Sequence, residues 1–171
     1  MRVLGLDPGS RKLGWGLLES SAGRWRRVAS GTVHLPVQRP LPERLQIIHV
    51  EVSSLLALHT PELVAIEECF VARSPKAALV LGEVRGVLLL AVQQAGLALE
   101  EFAPRAVKLS AVGHGGAAKE QVQYMIPRLL LECPASLAED EADALAVAWC
   151  GALHLRTGAS VAHSAAAPRL S

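Results

Sequence analysis

The chain has 171 residues, 51% hydrophobic and 19% charged, with a formal net charge of +1. That length supports one domain with a real core, and the composition excludes a disordered chain. The near-neutral charge by itself points to no partner.

The first predicted element is a strand over Arg2–Leu6, apolar on both faces as in the middle of a sheet. It ends on Asp7, followed at once by Pro8-Gly9-Ser10. A second strand covers Leu13–Glu19, and a turn at Ser20–Gly23 leads to a third over Trp25–Leu35. Three strands joined by short turns predict an antiparallel meander. Pro36–Pro42 reads as a loop. Leu45, Ile48, Val52, Leu55 and Leu56 then recur at helical spacing, predicting a helix over Pro42–Leu58. Leu63-Val64-Ala65-Ile66 is a fourth, buried strand, and it ends on Glu67.

Ser74-Pro75 opens a helix, with serine as N-cap and proline in the first turn. Gly96 ends it after Gln94. A fifth strand covers Leu97–Phe102. Gly113-His114-Gly115-Gly116 is a flexible loop, followed by a helix near Ala118–Leu131. Ser136-Leu137-Ala138-Glu139 has the form of a capping box and opens a last helix that reaches Arg156. Residues 157–171 read as a frayed tail after a single domain over 1–156. The order β-β-β-α-β-α-β-α-α predicts an α/β fold, a five-stranded mixed sheet with helices on both faces. Cys69, Cys133 and Cys150 form no CxxC pair and read as core thiols of a reducing compartment. No uncharged apolar run reaches the ~18 residues of a membrane span. No signal peptide is expected, because Asp7 interrupts the candidate stretch. A cytoplasmic location follows as the expectation.

Two buried strands thus finish on carboxylates. In open α/β sheets, sites form beyond the carboxyl ends of the strands. If strands one and four are neighbours, about 4.8 Å apart, Asp7 and Glu67 face one small volume. Bare carboxylates that close repel, so a cation is their natural partner. Asp140 and Asp143 share a face in the first turns of the last helix. Acidic residues there are also favoured by the helix dipole alone. One count weighs against that explanation: Asp7, Asp140 and Asp143 are the only aspartates in a chain with 16 acidic residues. An all-oxygen set suits Mg²⁺ or Mn²⁺ rather than zinc. Four carboxylates have the number needed for two ions ~4 Å apart, as in phosphoryl transfer. The six histidines show no metal-ligand spacing.

The stretches LGLDPGSRKLGWG, VAIEECF, LGEVRG, VKLSAVGHGGAAKEQVQYM and DEADALAVA resemble the RuvC-type Holliday-junction resolvases. The resemblance covers roughly residues 1–155, in order. It implies a ribonuclease H-like fold and a homodimer that cuts four-way DNA junctions with Mg²⁺ or Mn²⁺. The implied products are paired nicks with 5′-phosphate and 3′-hydroxyl ends, in recombination and repair, beside a branch-migration complex. It places the acidic site on Asp7, Glu67, Asp140 and Asp143, the four found from the residues themselves. It also puts an aromatic on Phe70 and two lysines on Lys108 and Lys119, expected to contact DNA. Arg73 and Lys76, with Arg11, Lys12 and Arg105, then read as a basic rim. Gly82 and Gly86 lie on one helix face, where the resemblance places the dimer contact; packing against the chain's own sheet is the other explanation.

Other classes fit less well. A P-loop fails because Gly14 is followed by Trp15-Gly16 rather than Lys-Ser/Thr. An actin-like ATPase needs a second similar domain. A monomeric relative that acts on RNA would lack the glycine interface, and a non-catalytic junction-binding module has no use for converging carboxylates.

Overall fold

The computed structural model describes residues 1–68 and 74–156. The strands are β1 (Arg2–Pro8), β2 (Lys12–Ser21), β3 (Arg24–His34), β4 (Leu63–Glu67) and β5 (Ala98–Phe102). The helices are α1 (Leu41–His59), α2 (Pro75–Gln94), α3 (Pro104–Val112), α4 (Lys119–Leu129) and α5 (Glu139–Arg156). The five strands form one sheet in the order β3-β2-β1-β4-β5. β1–β2 and β2–β3 pair antiparallel, while β1–β4 and β4–β5 pair parallel. The meander and the parallel half expected from the sequence are both present, and β1 and β4 are neighbours.

Strand alternation sends successive side chains to opposite faces. Leu4 and Leu6 of β1, with Val64 and Ile66 of β4, join one core built with Ile48 and Val52 of α1 and Val84 and Leu88 of α2. Val3, Leu63 and Ala65 point the other way, into a core with Val107 and Ala111 of α3, Val122 and Ile126 of α4, and Leu145 and Ala148 of α5. Asp7 has the parity of Val3, and Glu67 that of Leu63 and Ala65. Both carboxylates therefore leave the sheet on the α3–α5 face.

α5 lies directly on β1 and β2. A Cβ added to Gly5 would stand 2.2 Å from the Ala144 carbonyl oxygen, and one added to Gly14 would stand 2.3 Å from that of Asp140. Helix and strand backbones approach this closely only because glycine presents no side chain. Gly14 is also the β2 partner of Asp7. The start of α5 is thus seated beside the end of β1.

Two sequence expectations need correction. α3, over Pro104–Val112, was not expected. It spans nine residues with only Val107 and Ala111 buried, too few turns to establish a helical period. Its signals are Pro104 in the first turn and Gly113 at φ 80° after the last. The capping box at Ser136 does not open α5. The helix starts later, its first bond running from the Ala142 N–H to the Ala138 carbonyl at 3.0 Å. Glu139 is instead held by Lys119 at 2.6 Å. Among the described residues no helix is long and apolar enough to cross a membrane. The expected tail at 157–171 lies outside the described residues.

Candidate active site

Asp7, Glu67 and Asp143 line one cleft of about 220 Å³, together with Lys108 and Lys119. Its apolar wall is Pro104 and Val107 of α3, Val122 of α4 and Ala146 of α5. Five separate elements supply these groups, so no local stretch of chain could form the cleft alone. β1 and β4 deliver the first two carboxylates from neighbouring, parallel strand ends. The turn of α5 after Asp140 delivers Asp143, and α3 and the start of α4 bring the two lysines.

Burial dominates the electrostatics. It raises the pKa of Asp7 from an ordinary 3.8 to about 6, with the nearby Asp143 adding to the effect. Burial likewise raises Glu67 from 4.5 to about 7, and Asp7 is its next largest cause. Asp143 is also pushed upward by burial, against a hydrogen bond from Lys119. Desolvation of three charges in one cleft penalises the ionised forms, and each carboxylate worsens the position of the next.

Lys119 partly relieves this charge. Its ammonium donates to Asp143 Oδ2 at 2.6 Å and to Glu139 Oε1 at 2.6 Å. Burial opposes the lysine charge, but the bonds to Asp143 and Glu139 outweigh it and raise its pKa. The charge of Lys108 also lowers the penalty on Glu67. Asp140, expected in the site, is not among the residues that line the cleft. It contributes to the field on Asp7, while its Oδ2 accepts a bond from Lys12 Nζ at 3.0 Å. Lys12 is therefore engaged with an acid rather than free on a basic rim.

The donor set suits a hard cation: oxygen ligands only, desolvated and short of positive charge. Lys119 already places a cation against Asp143. In this conformation no group of three or more His, Cys, Asp or Glu side chains among the described residues stands close enough to share one ion. A divalent ion would have to draw the carboxylates together and displace the lysine from Asp143.

The other expected residues fall as follows. Lys76 is exposed at the start of α2. Gly82 and Gly86 are exposed, with no atom of the described residues within 4 Å of an added Cβ, so they do not pack against the chain's own sheet. Leu79 and Leu90 continue the same stripe at 66% and 51% exposure. Phe70 and Arg73 lie outside the described residues. The sequence does not single out Glu139 as a partner of Lys119, because a glutamate in a first helical turn has a sufficient local explanation in the dipole.

Comparison with known proteins extends this geometry. Residues 3–151 match the family described as crossover junction endodeoxyribonuclease RuvC. A relative of that name from Alkalilimnicola ehrlichii is 48% identical over 149 residues, 87% of this chain and 89% of its own length. The structure of RuvC from Thermus thermophilus superposes with a TM-score of 0.81 at 36% identity, over 92% of this chain and 97% of that one. A second structure of the T. thermophilus protein, in complex with a Holliday junction substrate, superposes at 0.80 with 33% identity over the same shares. The chain belongs to the RuvC family of crossover junction endodeoxyribonucleases.

Proposed function

We propose that this chain, as a crossover junction endodeoxyribonuclease, resolves four-way DNA junctions by metal-dependent phosphodiester hydrolysis in the cleft of Asp7, Glu67 and Asp143. The observation that carries the proposal is the meeting of three desolvated carboxylates and two lysines in one cleft at the carboxyl ends of β1 and β4. Purely structural carboxylates would not be gathered where each raises the cost of the others.

Asp7, Glu67 and Asp143 would hold Mg²⁺, with Mn²⁺ as a substitute, and Asp140 would join once freed from Lys12; two ions per site is the arrangement proposed. Bound there, the ions would supply Lewis-acid activation of water and charge stabilisation of the departing 3′ oxygen. The chain's own side chains do the rest. With a cation held at Asp143, Lys119 would be free to bond a phosphate oxygen, as would Lys108. Glu139 keeps the ammonium near while it exchanges partners. The apolar wall of α3 and α4 limits water and strengthens each of these contacts. Lys76, Arg73 and Phe70 are proposed as further DNA contacts, with Phe70 against a base at the crossover. Products would carry 5′-phosphate and 3′-hydroxyl ends, and the chain would work in the cytoplasm with a branch-migration complex.

The exposed stripe Leu79, Gly82, Gly86 and Leu90 of α2 supports a homodimer with this helix at the contact. Two copies related by a two-fold axis would present two clefts to a substrate of similar symmetry. Since no described atom lies within 4 Å of a Cβ added to Gly82, Gly82→Leu should leave the monomer folded and weaken only the assembly. Light scattering checks this: a variant that remains as dimeric as wild type removes α2 from the interface.

The test of function compares a synthetic four-way junction with a linear duplex of the same sequence. Mg²⁺ and Mn²⁺ should give paired nicks in the junction alone. Ca²⁺, with its larger and looser oxygen shell, should support binding without cutting. Cleavage that persists in excess chelator contradicts the carboxylate–metal reading.

A further inference from the structure

A second concave site lies on the other side of the turn that follows Asp7. It is a cleft of about 270 Å³ lined by Ser10, Arg11, Arg44, Ser74 and Lys76, with three apolar neighbours. Among the described residues, three cationic side chains and no acid line it. Elsewhere in the protein arginine and lysine side chains are commonly paired: Lys12 with Asp140, Arg26 with Glu19 and Lys119 with Asp143. Arg11, Arg44 and Lys76 have no ion pair among the described residues.

The site is built rather than merely charged. Arg44 Nη1 donates to the Ser10 carbonyl at 2.7 Å, which fixes the guanidinium from α1 against the β1–β2 turn. The Arg11 carbonyl accepts from the Leu35 N–H at 2.8 Å, so the same turn is held from both sides. Arg44 Nε is shielded from solvent yet has no acceptor. A buried donor left in that state is costly, more so on a charged group. Ser74, on the far wall, is the N-cap of the 20-residue helix α2, whose positive dipole end faces the same cleft.

We propose that this cleft seats one backbone phosphate of the junction DNA. The guanidinium of Arg44 holds it, Arg11 and Lys76 close over it, and it supplies the acceptor that Arg44 Nε lacks. The inference rests on the proposed action on junction DNA and adds a fixed anchor to it. Arg11 follows Asp7 by four residues, so the anchored phosphate and the reacting one are gripped by opposite flanks of one rigid turn. That sets which phosphodiester of the strand enters the carboxylate cleft. The seat specifies position and carries no sequence information.

Counterion release provides the test. Junction binding is measured by fluorescence anisotropy over a range of salt, in chelator, so that the metal site plays no part. Each phosphate contact contributes about −0.9 to the slope of log K against log salt. Arg44→Met should weaken binding and shrink the slope by about 0.9 per engaged seat. The triple variant Arg11→Met/Arg44→Met/Lys76→Met should show the same loss in slope, because all three side chains serve one phosphate. The pair Arg11→Met/Lys76→Met, both exposed and leaving the Arg44–Ser10 bond in place, should weaken binding about tenfold. It carries the test if Arg44→Met does not fold, and binding at wild-type strength in that pair overturns the proposal. So does an unchanged slope in folded Arg44→Met, or a slope that falls by a further unit with each added substitution. A wild type that does not bind the junction at all would refute the DNA reading itself, a result distinct from these.

Discussion

Replacing Asp7 with asparagine should abolish junction cleavage while making the metal-free protein more stable at neutral pH. The first effect follows from place: Asp7 stands one residue before the end of the buried strand β1 and lines the cleft with Glu67 and Asp143. Removing one element of a preorganised charged site typically costs ~10²–10³-fold in rate, and loss of a proposed metal ligand should cost at least that much. Junction binding should hold or improve, since a negative charge near phosphate is removed. Retained wild-type cleavage would take Asp7 out of the mechanism.

The second effect follows from burial. Asp7 rises from 3.8 to about 6 and Glu67 from 4.5 to about 7. Raised carboxyl values mean that the folded state binds more protons than the unfolded state between about pH 4 and 7. Stability from these groups is therefore present at low pH and declines as pH rises through that window. The asparagine side chain cannot ionise, so Asp7→Asn should escape its share of the penalty, at most ~3 kcal/mol for a two-unit shift. Urea unfolding in chelator should find the variant more stable at pH 8 and equal to wild type near pH 4. Mg²⁺ should narrow the gap at pH 8 by stabilising wild type. A variant less stable than wild type at pH 8 would mean that Asp7 holds the fold together rather than straining it.

Gly5→Ala should be among the most damaging single substitutions outside the cleft. The added methyl would stand 2.2 Å from the Ala144 carbonyl oxygen and 2.4 Å from the Ala148 nitrogen. Both are backbone atoms of α5, so no side-chain rotation relieves the clash. Overpacking a core usually costs ~1–3 kcal/mol, and a clash with helix backbone belongs at or beyond the upper end. Lifting α5 off β1 also carries Asp140 and Asp143 away from Asp7, so any folded fraction should cleave poorly. Gly82→Ala is the comparison. It adds the same methyl where no described atom of the chain itself lies within 4 Å, and in the monomer a helical glycine to alanine change stabilises by ~0.5–1 kcal/mol. Chemical denaturation of both variants should move in opposite directions; a Gly5→Ala protein as stable as wild type would show that α5 is not seated as described.

The strand ends on Asp7 and Glu67 were legible in the sequence, because a charged residue closing an unbroken apolar run marks where a buried strand leaves the core. The restriction of aspartate to three positions was legible as well, and two of the three, Asp7 and Asp143, line the cleft. Local pattern also carried the meander, since tight turns leave consecutive strands little choice but to pair. α3 was lost because two buried positions in nine residues do not make a period, and the opening of α5 was misplaced because Ser136 and Glu139 satisfy a local rule that tertiary contact overrides. The pairing of Lys119 with Asp143 and Glu139, of Lys12 with Asp140, and the meeting of Arg44 with Ser10 join residues far apart in the chain. Such contacts depend on how helices sit on the sheet, and for α5 that seating includes close backbone approach at Gly5 and Gly14. A glycine in a strand reads the same in sequence whether it lies under a helix or under water, so only the tertiary structure could say that α5 rests there and brings its aspartates to the end of β1.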